Sequence, residues 1–143
     1  MGGNIAAFIG ALTVFPTAIA LAAASHSPAP PFLHGVMRGS LAWDALGGEN
    51  AETEQRLRDF FASATVLDHE SPPHTAAAVL LAGTIDGFVP TSAVLALHRH
   101  WPGSHVEWIR AGHATMLWRH KEEMARSAVT AFQRLDTSSR SEV

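Results

Sequence analysis

Residues Ala77–His120 read AAVLLAGTIDGFVPTSAVLALHRHWPGSHVEWIRAGHATMLWRH, and this stretch decides the fold. The run Ala78-Val79-Leu80-Leu81-Ala82 has no polar residue on either face. That is the pattern of a parallel strand buried between two layers of helix. It ends in a glycine-rich turn, Gly83 to Gly87, that carries Asp86 and is closed by Pro90. Thr91 or Ser92 then caps a helix with the stripe Val94, Leu95, Leu97 and His98, stopped by Pro102-Gly103. A second strand, His105 to Arg110, alternates with Val106 and Trp108 on one face and runs into Gly112-His113. Strand, acid, helix, strand, histidine is the back half of a nucleophile–histidine–acid arrangement. Sites in open parallel sheets form at the carboxyl ends of the strands, where both residues fall.

Working outward, the last helix is expected from about Met116 to Leu135. Its inward side would be Leu117, His120, Met124, Ala128, Val129 and Phe132, with residues 137–143 a frayed polar tail. On the amino-terminal side, Asn50 caps a helix from about Ala51 to Ser63. Glu52 and Glu54 lie in its first turn, and Leu57, Phe60 and Phe61 form its apolar stripe. With the looser pattern from Gly35 to Leu46, it forms a helical excursion over about 35–63. Ser27-Pro28-Ala29-Pro30-Pro31 is a loop.

The apolar run from Ile5 to Ala24 has two readings. It is long enough for a membrane span, and Leu21-Ala22-Ala23-Ala24-Ser25 resembles a small-residue cleavage site, so residues 1–24 would serve as a signal or anchor. Against this, no Lys or Arg precedes Arg38, and Thr13, Pro16 and Thr17 interrupt the run. The alternative is a helix over Gly2–Leu12 and a strand over about 17–23. A strand there that is apolar on both faces but has lost its outer neighbour would favour self-association.

Composition narrows the function. At 143 residues, 47% hydrophobic and 16% charged, the chain can bury one real core. A net charge of −3 supplies no basic field for nucleic acid. There is no cysteine, which excludes thiolate metal sites and leaves the compartment open. His98 and His100 are two apart, a spacing that does not face one point from a helix, and no HExxH occurs. No metal and no cofactor is expected. Asp86 and His113, on loops after neighbouring strands, suit an orienting acid and a general base. A loop aspartate capping a helix and a satisfied loop histidine produce the same pattern.

Four segments carry a resemblance. Met1-Gly2-Gly3-Asn4-Ile5-Ala6-Ala7 looks like the end of a G-x-S-M-G-G nucleophile elbow entering its helix. Gly83-Thr84-Ile85-Asp86-Gly87-Phe88-Val89-Pro90 resembles an α/β-hydrolase acid loop. Trp101-Pro102-Gly103 with Arg110-Ala111-Gly112-His113 resembles the last strand and histidine loop. Gly35-Val36-Met37 and Ser40-Leu41-Ala42-Trp43 lie between. Together they are most similar to the α/β-hydrolase domain-containing protein 18 family. The resemblance implies a partial α/β-hydrolase fold over 1–136, an edge of three parallel strands at about 17–23, 78–82 and 105–110, flanked by helices. It implies Asp86 as triad acid, His113 as base, and the backbone N–H of Met1 as an oxyanion donor. The substrate would be an ester or lipid-like small molecule. The family's nucleophile serine would directly precede Met1, and no other G-x-S-x-G occurs. The expectation is the carboxyl half of a serine hydrolase without hydrolytic power by itself, or else a non-catalytic interaction module.

Overall fold

Strands β1 (Ile19–Ala22), β2 (Ala78–Gly83) and β3 (His105–Ile109) form one all-parallel sheet with β2 in the middle. The computed structural model describes residues 2–141, with side chains through residue 138. Ile19 pairs with Ala78 and Ala22 with Leu81; Val79 pairs with His105 and Gly83 with Ile109. All six residues of β2 are buried, as its uninterrupted apolar sequence expects.

Successive β2 side chains enter different cores, because strand residues alternate between faces. Leu80 and Ala82 join Ile19, Leu21, Ala7 of α1 (Gly2–Leu12), and Val94, Leu97 and Trp101 of the segment around α5 (Thr91–His100). Leu81 instead meets Ala23, Ala111 and Met116 of α6 (His113–Arg119), backed by Met124 of α7 (Lys121–Ser141). Helices therefore cover both faces, and the sequence expectation of a partial α/β fold holds.

The excursion comprises α2 (Ala29–Leu33), a 3-10 turn Val36–Ser40, α3 (Trp43–Leu46) and α4 (Ala51–Ala62). Asn50 caps α4, its Oδ1 accepting the Thr53 N–H at 3.0 Å. Arg38 ties these pieces together. It pairs with Glu54 at 2.6 Å and Glu49 at 2.7 Å, and its guanidinium lies over the Trp43 ring. That neighbour holds the Glu54 carboxyl below the usual carboxylate range.

The elements depart from the sequence reading in several places. The run Ser27–Pro31, expected as a loop, enters α2 at Ala29, because proline is tolerated in the first turn of a helix. β1 is four residues long and buried on one face only, with Ile19 and Leu21 inward and Ala20 exposed. Pro90, not Thr91 or Ser92, occupies the cap position of α5. Phe60 points to solvent; it is Phe61 that stacks on Phe32, their rings 5.5 Å apart. The single last helix is two, broken at His120, and the second runs to Ser141, past the expected start of a frayed tail. Its inward side is also different. Leu117, Val129 and Phe132 are exposed, while Ser127 and Ala131 are buried. Ser127 faces the sheet, and its hydroxyl donates to Glu107 of β3 at 2.7 Å. The run Ile5–Ala24 divides into α1 and β1. Among the described residues no helix is long and apolar enough to cross a membrane.

Candidate active site

The loops that leave β2 and β3 cross in contact. A Cβ on Gly83 would overlap the carbonyl oxygen of Ala111, so the crossing requires glycine. The Thr84 N–H donates to the Ile109 carbonyl at 2.9 Å and locks the two loops together. Asp86 then folds back on its own loop. Its Oδ1 accepts the N–H groups of Phe88 at 2.8 Å and Val89 at 3.0 Å. Its Oδ2 lies 2.9 Å from Nδ1 of His113. The Asp86 side chain is 2% exposed and that of His113 27%. Buried groups of this kind need partners, and each carboxylate oxygen has one.

His113 opens α6. The Gly112 N–H donates to Thr115 Oγ1 at 2.9 Å, which fixes the entry to that helix. The Phe88 ring sits 5.0 Å from the imidazole, centre to centre, and limits its tilt. With Nδ1 donating to Asp86, Nε2 of the neutral ring is left as an acceptor. An imidazole held so is chemically able to take a proton from a hydroxyl or water. Asp86 is thus no helix cap: its carboxylate serves its own loop and the histidine.

His113 and Phe88 line a cavity of about 250 Å³. The remaining wall is mostly apolar, including Ala23, Phe32, Met37 and Val89, with Asn4, Ser25 and Ser27 as polar members. Ser25 and Ser27 are buried. Their hydroxyl oxygens accept backbone N–H groups, Ser27 N to Ser25 Oγ at 3.5 Å and Ala29 N to Ser27 Oγ at 3.3 Å. Ala23 has φ 49, a left-handed backbone that costs a non-glycine residue roughly 1–2 kcal/mol. The turn is clamped from the other side. Gly3 packs against Ala22 and Ala23, and Asn4 Nδ2 donates to the Ser25 carbonyl at 3.1 Å. Sequence reasoning missed this wall. The one available signal was the proline-rich run before Phe32, which carries the chain from the turn after β1 into α2.

The other expected positions separate. Met1 lies outside the described residues. His98 Nδ1 is paired with Ser104 Oγ at 2.8 Å, whereas His100 Nε2 points to the His69 carbonyl at 2.8 Å. Among the described residues no group of three or more His, Cys, Asp or Glu could hold a metal ion. Two further histidines, half-buried His26 and buried His74, have their pKa lowered by desolvation. His26 bonds Thr65, and His74 has no partner for either ring nitrogen.

A parallel sheet with helices on both faces, and loops meeting at its carboxyl end, defines this as part of an α/β fold. A family model described as alpha/beta hydrolase domain containing 18 matches residues 50–134, more than half of the chain. The chain belongs to that family. The match includes Asp86 and His113 but not α1, β1 or the wall at residues 23–37. No curated protein and no solved structure matches the chain.

Proposed function

We propose that this chain carries the acid and base of an ester-hydrolysing serine hydrolase, Asp86 orienting His113 and His113 acting as general base. The observation that carries this reading is the 2.9 Å contact of Asp86 Oδ2 with His113 Nδ1 on crossing loops beside an apolar cavity. In such a pair the carboxylate fixes the tautomer and balances the charge that forms when Nε2 takes the nucleophile's proton. The apolar wall suits the acyl part of an ester or lipid-like molecule. The 143 residues contain no G-x-S-x-G serine. By itself the chain is therefore expected to turn over no ester, because losing one triad member leaves only residual catalysis. Incubation of the purified chain with p-nitrophenyl esters and a fluorophosphonate probe tests this. No turnover and no label are expected. Turnover that His113→Ala abolishes, or a labelled serine, would overturn the inactivity.

A second reading, a non-catalytic module that associates with itself, has one observation in favour. Among the described residues the outer edge of β1 pairs with no strand, and Ile5, Ile9, Leu12, Val14 and Phe15 of the neighbouring segments are exposed. Light scattering that shows a stable monomer at every concentration would remove it.

A further inference from the structure

The cavity wall and the acid loop meet closely at Gly35 and Val36. Gly35 precedes the 3-10 turn with φ −100 and ψ −177, an extended backbone open to any residue. Space, not backbone conformation, is what requires a glycine. A Cβ there would lie 2.6 Å from the Phe88 carbonyl oxygen, 2.8 Å from that of Pro31 and 2.9 Å from that of Gly87. Val36 then donates its N–H to the Gly87 carbonyl at 2.7 Å. Gly87 meets the other side of the contact: a Cβ on it would lie 2.9 Å from Val36 Cγ1.

Gly87 and Phe88 are the residues directly after Asp86. The Phe88 N–H holds the carboxylate and its ring rests on His113. An unbroken series of short contacts therefore runs from Val36 through Gly87 and Phe88 to Asp86 and His113. Met37, next to Val36, lines the cavity.

We infer that Gly35 and Val36 are positioning residues for the Asp86–His113 pair: the turn that carries the wall residue Met37 latches the acid loop and keeps the pair in register with the cavity. The inference rests on the reading of Asp86 as the residue that orients His113. It does not follow from the loop's own hydrogen bonds. Those tie the start of the loop to the β3 side, through Thr84 and Ile109, and hold Asp86 to Phe88 and Val89, but none of them anchors the Gly87–Phe88 peptide that the Val36 N–H reaches.

The test uses the full chain labelled with ¹⁵N-histidine. Imidazole correlation spectra report the ratio of Nδ1–H to Nε2–H for His113, assigned with His113→Gln. Two variants break the latch in different ways. Gly35→Ala inserts a methyl where three carbonyl oxygens already crowd. Val36→Pro removes the donated N–H and turns the ring Cδ toward the Gly87 carbonyl oxygen, while the extended Gly35 suits a residue before proline. Gly39→Ala in the same turn meets nothing within 4 Å and serves as control.

The wild type and the control should favour Nδ1–H, and both latch variants should lower the ratio about fivefold, the equivalent of one hydrogen bond's net contribution. An unchanged ratio in folded Gly35→Ala and Val36→Pro overturns the latch and leaves the pair intact. A wild-type ratio that Asp86→Asn does not alter overturns the pair itself. Amide exchange of the wild type adds a reading that needs no variant. The Val36 N–H should be protected alongside those of Phe88 and Val89. Free exchange at Val36 alone would sink the latch even if both variants failed to fold.

Discussion

Two regions close the same cavity in opposite ways. The acid and histidine loops do it with directed hydrogen bonds: Asp86 alone takes two backbone N–H groups and faces an imidazole. The segment after β1 does it with shape. Its Ala23, Phe32 and Met37 offer no polar group, and its two serines turn their oxygens to the backbone. The difference separates two jobs. One side fixes the orientation of an imidazole, and the other bounds the space beside it.

That contrast makes three predictions. The largest effect belongs to the hydrogen-bonded side. Asp86→Ala strands the Phe88 and Val89 amides and the His113 ring nitrogen around a side-chain site only 2% exposed. It should cost about 3 kcal/mol in chemical denaturation. A cost like that of an ordinary surface change would mean the loop holds its form without the carboxylate.

The wall should respond less, and separately. Phe32→Ala removes a half-buried ring from the cavity and from its stack on Phe61, and should cost about 2 kcal/mol. It should also leave the His113 ring signals unshifted. Their movement would show that the two regions share one packing unit beyond the latch.

The smallest effect is a slope with pH. Burial lowers the pKa of His26, on the wall side, and of His74 before β2. Below a pH of about 6.5 the unfolded chain takes up these protons first. Stability is therefore expected to be full above that pH and to fall as the solution is acidified through the folded-state values. Replacing His26 or His74 with Gln should each flatten the decline. A melting temperature flat from pH 7 to 5 would contradict it.

Much of the hydrogen-bonded side was legible in the sequence, because it depends on residue type at the end of a clear element. The apolar β2 announces a buried central strand, and an aspartate and a histidine just past two such strands can be named at once. The wall was not legible. Ala23, Phe32 and Met37 come together only through tertiary closure of irregular backbone, and no periodicity marks them. The last helix failed for a related reason. Val129 and Phe132 have the composition of an inward face, but the side of the helix that packs on the sheet is the one carrying the small residues Ser127 and Ala131. The break at His120 has no glycine or proline to signal it.

The sheet register also sets an order of assembly. Val79 meets His105 across a short crossover, whereas Ile19 must find Ala78 on the far side of the whole excursion. Closing the longer connection costs about 0.7 kcal/mol more in chain entropy. The unit β2–α5–β3 is therefore expected to nucleate first and to bring the Asp86 and His113 loops together early. β1 and its wall would dock onto a pair already formed, so a defect in the wall should speed unfolding far more than it slows folding.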